Sequence, residues 1–339
     1  MTTTVVDGPF FEDLARGQSF GSAPTITLTS GLAAAHQAIL GDRMRLPLDH
    51  RLAEKVCGRP GIAHPGLVWD VAIGQSTVVT RRVVANLFYR DVAFHRLPAL
   101  GDTLTTTTVV VGLKANRPRA DRAPTGLAAL HMTCVDQEGR TVLDFLRCAM
   151  LPVRRPEAVT GADDNLAALS VRGQANGVES GAVEPGAVAV GWNLAEFRNA
   201  VPGPHFGDLT VGDEYVVAAG DLVSSAPELA RLTLNVAAVH HDAPAGGRRL
   251  VYGGHTIGLA LSQATRALPG IVTVSDWQEC RHVGPVYEGD TLHSTVAVMD
   301  LIPSAIGGLA VLRSLVTARD ASGGEPRDVL DWTFTAVFA

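Results

Sequence analysis

Two short segments of the chain contain residue types that can carry out proton-transfer chemistry. His240 has an unperturbed pKa of about 6.5, so its imidazole can take up and release a proton near neutral pH. Asn235 can orient a water molecule through its amide but cannot accept a proton. Gly253 and Gly254 stand at a predicted helix start, where glycine lets a carbonyl approach the backbone closely and the helix dipole favours a developing negative charge. Residues able to carry a proton, orient a water and favour a negative charge thus all lie between residues 235 and 254.

Structural alternatives exist for several of these residues. A loop histidine often does no more than bond the backbone of a turn, and for His240 it is the internal repeat described below that favours a role in a site. His241 and Asp242 follow directly, and bracing or capping the loop is the alternative to contact with a substrate. For His255, a pocket wall and a simple helix end are equally open.

The chain repeats itself once. Residues 281–292 are similar in sequence to residues 94–104, and Gly-Asp-Thr-Leu occurs in both segments. Residues 329–332 are similar to residues 142–145, and residues 208–213 are similar to residues 13–18. All of these matches occur in the same order at offsets between 187 and 195 residues, which indicates a duplication.

Each copy shows the same order of predicted elements. A polar opening segment is followed by a helix, from Gly66 in the first copy and from Gly254 to near Pro269 in the second, since proline cannot continue a helix. The first of these helices is apolar nearly all round, which predicts that other structure wraps it. Strands are predicted after each helix, at residues 103–111, 127–135, 292–298 and 309–317. One buried helix followed by antiparallel strands predicts an α+β fold.

These patterns divide the 339 residues into an N-terminal unit at 1–153, a linker at 154–191 and a C-terminal unit at 192–339. The linker is rich in Gly, Ala, Asp and Glu and has little periodicity. A short helix is expected within it at residues 165–169.

Composition excludes several classes of function. Hydrophobic residues make up 46% of the chain and charged residues 18%, and the net charge of −6 comes from interspersed acids and bases. Nucleic-acid binding normally needs a clustered basic face, which is absent from the sequence. We expect no membrane span and no secretory signal, and therefore a cytoplasmic protein. The four cysteines show no metal spacing, and no nucleotide-binding glycine motif is present.

The helix, the following strand and the Pro-x-x-(x)-Gly-Asp-Thr-Leu turn resemble the MaoC-type enoyl-CoA hydratase/dehydratase family of hotdog proteins. In that family a loop written G-D-x-N-P-x-H-x-D precedes the helix. The resemblance covers both copies and implies a tandem (double) hotdog fold, each unit an antiparallel sheet wrapped round a long apolar helix. Members with this double fold include the R-specific enoyl-CoA hydratases and the mesaconyl-CoA hydratases.

The first copy has lost part of the family loop. At residues 41–49 the first Gly-Asp and the last Asp match, but Met44 stands in place of the family Asn and Pro47 in place of the catalytic His. The resemblance therefore implies that the first copy is degenerate for hydration. Its expected role is to widen the pocket for the acyl group.

The second copy retains more of the loop. His240 and Asp242 match the family pattern, whereas Asn235 stands in place of the catalytic Asp. An offset of 193 residues relates Asp42 to Asn235, and the same offset relates the last Asp of the two loops, which supports the register. Because the loops are pseudo-symmetric, we expect two separate sites and no composite Asp42–His240 pair.

The resemblance implies a hydro-lyase without a cofactor or metal, acting on a 2-enoyl-CoA or 3-hydroxyacyl-CoA. His240 would be the general acid/base, Asn235 would position the water, and the backbone of Gly253 and Gly254 would stabilise the enolate, with His255 and Asp242 as further substrate contacts. The expected partner is the coenzyme A thioester, not nucleic acid or a membrane. A homodimer is a further expectation.

Arg43 and Arg45 crowd the first loop, and His64 lies at the start of the helix behind it. One interpretation is solvated loop charge. The other is an anchor for acyl-CoA, in which a guanidinium binds a CoA phosphate or a second carboxylate of the substrate in bidentate fashion. A dicarboxylic acyl-CoA such as mesaconyl-CoA fits the second interpretation.

Two rival functions remain open at this point. Thioester hydrolysis is also common on the hotdog fold, and the fold alone does not exclude it. A hydrolase usually needs a carboxylate in the site, and Asn235 argues mildly against one. The second rival is a non-catalytic acyl-thioester binding protein, in which loss of the Asp marks loss of chemistry.

Overall fold

A computed structural model describes residues 2–4, 6–117, 122–155, 160–171, 184–243, 247–305 and 307–339. The helices and strands of the N-terminal unit are, in chain order, β1 (Ser19–Phe20), β2 (Ile26–Thr27), α1 (Ser30–Leu40), α2 (Arg45–Leu48), α3 (His50–Cys57), α4 (Pro65–Ser76), β3 (Ala85–Phe94), β4 (Thr103–Ala115), β5 (Thr125–Val135) and β6 (Thr141–Pro152). Those of the C-terminal unit are α5 (Leu194–Ala200), β7 (Glu214–Val216), β8 (Asp221–Leu222), α6 (Ala226–Leu232), α7 (Gly253–Ala267), β9 (Ile271–His282), β10 (Thr291–Pro303), β11 (Gly308–Arg319) and β12 (Arg327–Phe338).

One antiparallel sheet runs through both units. Its main strand order is β1-β4-β5-β6-β3-β9-β12-β11-β10-β7, with β2 on β4 and β8 on β10. The units join at β3 and β9, which pair from Phe88↔Arg281 to Ala93↔Asp276. Side chains from both units therefore meet along a seam in the middle of the sheet.

The two long helices that the sequence predicts are confirmed, and they fill the concave side of the sheet. Every residue of α4 is buried, as is α7 from Gly254 to Thr265. Trp69 of α4 meets the sheet indoles of Trp277 and Trp332 edge-on, with ring centroids 4.8 Å and 6.1 Å away. Such a wrapped helix in each unit is the arrangement of a double hotdog, and the α+β fold class is confirmed.

The opening segment of the N-terminal unit is more ordered than its polar sequence predicts, because α1, α2 and α3 form there. Thr29 caps α1 by accepting a hydrogen bond from the backbone of Leu32 at 3.1 Å, and Gly41 ends it in the left-handed conformation at φ 64°. These are ordinary start and stop signals of a helix. The loop at 41–49, which contains α2, is consequently held close against the core.

Each unit's loop packs on the buried helix of the other unit. The Thr77 hydroxyl after α4 accepts a hydrogen bond from the backbone N–H of Val236 in the second loop, at 2.9 Å. In the pseudo-equivalent place, the hydroxyl of Thr265 in α7 lies 3.3 Å from the carboxylate of Asp42 in the first loop. The duplicated units thus brace one another's loops.

Only part of the predicted linker at 154–191 is described, because residues 156–159 and 172–183 lie outside the described residues. Within the described part a 3-10 helix forms at Leu166–Ala168, inside the range of the predicted short helix. Leu166 is buried against the sheet. Among the described helices, none is both long and apolar enough to cross a membrane.

Candidate active site

A cavity of about 480 Å³ opens at the seam between the two units. The second loop, the start of α7 and the segment that follows β9 form three of its walls, and β3 and β6 of the N-terminal unit form the fourth. Asn235, His240 and Gly253 all line it, so the structure brings these predicted site residues together. The described lining contains no Asp or Glu.

The protonation of His240 is fixed by its surroundings. The Nδ1 atom lies 2.9 Å from the backbone oxygen of Leu250, and because a carbonyl only accepts, Nδ1 carries the proton. The Nε2 atom then holds the lone pair, and it makes no hydrogen bond to a described residue. Burial lowers the pKa of His240 to about 4, against the Leu250 contact, which raises it, and Arg147 and His241 lower it further. This imidazole is therefore neutral at pH 7 and can accept a proton. Its pKa lies below the unperturbed histidine pKa of about 6.5 that the sequence alone suggests.

Asn235 is buried, and one end of its side-chain amide bonds to the loop. Its Oδ1 atom accepts a hydrogen bond from the backbone N–H of Ala237 at 3.0 Å. The amide N–H₂ group remains to donate to a group in the cavity. His241 braces the loop, because its Nε2 lies 2.5 Å from the backbone oxygen of Asn235. The predicted water-positioning role of Asn235 is compatible with this geometry and stays a prediction.

The start of α7 offers free backbone donors. The first N–H groups of a helix have no intrahelical partner, and Tyr252 before α7 provides no side-chain cap. Gly253 lines the cavity, and a Cβ at this position would lie 2.6 Å from Nε2 of His282, so only glycine fits beside that ring. Gly254 does not line the cavity, since it faces α4, where a Cβ would lie 2.0 Å from the carboxylate of Asp70. Of the two glycines predicted to stabilise the enolate, Gly253 therefore borders the cavity and Gly254 does not. The oxyanion role itself stays a prediction.

At the corresponding place in the N-terminal unit, the polar groups already bond to one another. His64 precedes α4, and its Nδ1 accepts the hydrogen bond of the Gly66 N–H at 3.0 Å. Its Nε2 lies 2.9 Å from the carboxylate of Asp42, which also accepts a hydrogen bond from Met44. A separate cavity of about 350 Å³ adjoins these groups. With the helix donor capped and the carboxylate engaged, this geometry agrees with the degenerate first copy that the sequence predicts.

Other predicted site residues lie outside the seam cavity. Arg43 and Arg45 are exposed and line neither cavity, whereas His64 lines the N-terminal one. Asp242 is exposed at the edge of its loop, outside both linings. His255 is fully buried and lines neither cavity, and neither ring nitrogen has a hydrogen-bond partner among the described residues.

Asp42 and His240 line different cavities, so the two loops lie at separate places, as the pseudo-symmetry predicts. The structure therefore gives no contact that would support a substrate role for Asp242, His255, Arg43 or Arg45.

Side chains of the N-terminal unit also line the cavity, which was not predicted from the sequence. Arg147 of β6 and Tyr89 of β3 line it, opposite His282 at the end of β9. Arg147 could have been found from the repeat, because it interrupts an apolar run. The 187-residue offset that relates residues 142–145 to 329–332 makes Phe334 its equivalent in the second copy, so a charged residue stands where the repeat has an apolar one. No signal in the local sequence tells that β3 and β6 border the second unit's site.

His282 is a further neutral imidazole in the site. Its Nε2 is buried without a hydrogen-bond partner, and its ring meets Tyr89 edge-on with centroids 6.0 Å apart. Burial, with Arg147 and His240 adding to it, lowers the pKa of His282 to about 4. The described residues contain no group of three or more His, Cys, Asp or Glu side chains that could hold a metal ion.

No family model matches the chain. It is 29% identical to a β-methylmalyl-CoA dehydratase of Chloroflexus aurantiacus, over 99% of each chain. It is also 29% identical to a mesaconyl-CoA hydratase of Cereibacter sphaeroides, over 94% of this chain and 91% of that one.

Among solved structures, a Mycobacterium tuberculosis protein with a double hotdog fold is 55% identical and matches with a TM-score of 0.88 over 97% of this chain and 98% of that one. A putative MaoC domain dehydratase of Chloroflexus aurantiacus is 26% identical, with a TM-score of 0.84 over 99% of both chains. The fold and the seam cavity define a double-hotdog protein. In sequence and structure the chain is similar to MaoC-like hydratases and dehydratases that share this fold.

Proposed function

We propose that the protein is a hydro-lyase that adds water to a 2-enoyl-CoA, or removes it from a 3-hydroxyacyl-CoA, in the seam cavity. The observation that carries the proposal is His240: a neutral imidazole with an unbonded Nε2, beside the Asn235 amide and the uncapped start of α7. The two curated relatives act, by their names, on mesaconyl-CoA and β-methylmalyl-CoA, which supports a short dicarboxylic acyl group here.

The geometry supports a simple sequence of bond changes. The thioester oxygen binds the N–H of Gly253, and the Asn235 amide donates a hydrogen bond to a water that donates to Nε2 of His240. The water oxygen adds to Cβ, its proton passes to Nε2, and the electron pair of the double bond moves towards Cα and the thioester oxygen. The imidazolium then returns the proton to Cα. One water is gained, and in this proposal neither a cofactor nor a metal takes part.

Thioester hydrolysis is less well supported. A hotdog hydrolase would use a carboxylate as base or nucleophile, and the described lining of the cavity contains none. A binding protein without chemistry would have no reason to hold a neutral, unbonded imidazole beside free helix donors. Cytoplasmic location and a homodimer remain predictions.

Two assays run side by side test the proposal. Hydration of crotonyl-CoA and mesaconyl-CoA removes the ultraviolet absorbance of the conjugated enoyl-thioester, while hydrolysis releases a free thiol. We expect absorbance loss without thiol release, and a loss of at least about 100-fold in kcat for His240→Gln, since a positioned acid/base contributes about that much. Thiol release by the wild type, or full activity in the variant, would contradict the proposal.

A further inference from the structure

Arg147 is a buried cation in the seam cavity, and its guanidinium has only neutral partners. The side chain is 3% exposed and lies on β6, in the interior of the sheet between Leu130 of β5 and Tyr89 of β3. Nε donates to the amide oxygen of Asn86 at 2.7 Å, and Nη1 donates to the hydroxyl of Ser76 at 3.0 Å. Nη2 makes no hydrogen bond to a described residue.

A buried guanidinium without a counter-ion is costly. Arginine stays protonated in proteins, and removing an unpaired charge from water costs several kcal/mol unless an anion compensates it. Among the described residues, no carboxylate forms an ion pair with Arg147 and none lines the cavity. An anionic ligand in the cavity would balance this charge.

The position of Arg147 decides which anion that is. The other arginine of the lining, Arg248, has a side chain that is 44% exposed and is paired with Asp290 and Asp320 at the cavity rim. Hydrated phosphates of coenzyme A suit such a rim. Arg147 instead is 3% exposed and belongs to the buried part of the lining that also contains Asn235 and His240, where a short acyl group would end.

We propose that Arg147 binds the distal carboxylate of a dicarboxylic acyl-CoA, with Asn86 and Ser76 holding the guanidinium in place. This inference rests on the proposed hydro-lyase function and names its substrate class. It moves the carboxylate anchor from Arg43 and Arg45, where the sequence suggested it, to the strand that faces His240. A planar guanidinium with free donors also fits a carboxylate in bidentate fashion.

Two matched pairs of thioesters test the anchor. Fumaryl-CoA and crotonyl-CoA differ only by a carboxylate in place of a methyl group, and both can be hydrated. Succinyl-CoA and butyryl-CoA differ in the same way but have no double bond, so that their dissociation constants report binding alone. The second pair keeps the test valid even if the protein hydrates nothing.

We expect the wild type to favour the dicarboxylic member of each pair by about 100-fold, the effect typical of a buried charge pair. Arg147→Gln should lose that factor for fumaryl-CoA and succinyl-CoA, while crotonyl-CoA and butyryl-CoA change less than about fivefold. Arg147→Lys should recover part of the preference, because it restores charge without the planar fork. The exposed Arg51→Gln is the matched control and should change nothing.

The outcomes separate the two proposals. Hydration of crotonyl-CoA with no preference in either pair would overturn the anchor and leave the hydro-lyase intact. No hydration, but a succinyl-CoA preference that depends on Arg147, would support the anchor and overturn the function. An equal loss with both members of a pair in a folded Arg147→Gln protein would also overturn the anchor, and would make Arg147 a positioning residue for the thioester end.

Discussion

The chemistry of the site rests on how two side chains share a small loop. The Leu250 carbonyl orients His240 so that its basic nitrogen is Nε2, while the backbone of Ala237 holds Asn235 so that its amide can only donate. A water between them therefore has one proton acceptor, not the Asp and His pair of the family. In the proposed reaction His240 alone takes the proton from the water that adds at Cβ and returns it at Cα.

This single-base arrangement predicts the pH dependence of kcat/KM, which reports the ionisation of the free enzyme. His240 acts when neutral, and burial sets its pKa at about 4, so activity should stay constant from neutral pH to about 5 and fall below that as the imidazole gains a proton. Asn235→Asp should move this fall to higher pH, because a nearby carboxylate favours the imidazolium.

Initial rates with crotonyl-CoA at a series of pH values, with circular dichroism to confirm folding at each, provide the measurement. A fall centred near pH 6.5 in the wild type would mean that the ring is solvated and would contradict the structure. The same profile in Asn235→Asp would place residue 235 out of contact with the reacting water.

At the scale of elements, the loop that carries His240 depends on a helix of the other unit. Gly74 of α4 faces the backbone of Thr233, which directly precedes the loop, and a Cβ on Gly74 would lie 1.7 Å from the Thr233 carbonyl oxygen. A second glycine, Gly258 of α7, has a softer neighbour in the first unit. A Cβ on Gly258 would lie 2.5 Å from a methyl group of Leu40.

The contrast between these glycines is testable with Gly74→Ala and Gly258→Ala. At residue 74 the backbone must move, so we expect a cost of about 3 kcal/mol in the free energy of unfolding and at least a tenfold loss of kcat/KM. At residue 258 the leucine side chain can turn aside, and better helix propensity offsets about 1 kcal/mol of the strain. Urea unfolding and steady-state rates measure both, and equal effects in the two variants would contradict the cross-bracing.

The elements themselves were largely predictable. The repeat and the apolar runs predicted α4, α7 and the strands β4, β5, β10 and β11, because burial of those elements shows in local periodicity. Helix α1 was not predicted, although Thr29 and Gly41 are ordinary cap residues that could have signalled it. The contact between Gly74 and Thr233 was not predictable, since nothing local in a sequence tells which distant backbone will approach a glycine.

At the scale of the whole molecule, the site belongs to neither unit alone. His240 and Asn235 come from the second copy, while Arg147 and Tyr89 reach the cavity because β3 pairs with β9 across the seam. The family loop predicted the first pair. The second pair follows from the strand order of the sheet, and the sequence contains no short-range signal for that order.

The molecule also encloses three histidines whose rings are neutral in the folded state. Burial lowers the pKa of His240, His255 and His282 to about 4, whereas an unfolded histidine titrates at about 6.5. Between these values the unfolded chain binds more protons than the folded one. Stability should therefore fall as the pH drops from about 6.5 to about 4.

His255 isolates this effect, because it is fully buried, lines neither cavity and has no hydrogen-bond partner on either ring nitrogen among the residues that the structure describes. A shift in the pKa of His255 from 6.5 to about 4 corresponds to about 2 kcal/mol of stability lost by pH 5.

His255→Leu replaces the unpaired polar atoms with an apolar group of similar size, so the folded state should survive at pH 7. Its free energy of unfolding should then fall less between pH 7 and pH 5, by about that amount. His50→Gln is the control for loss of a histidine, since that side chain is exposed in the folded protein. Urea unfolding of the three proteins at both pH values measures the difference, and a wild-type slope in His255→Leu would show that the native protein admits a charged ring at this position.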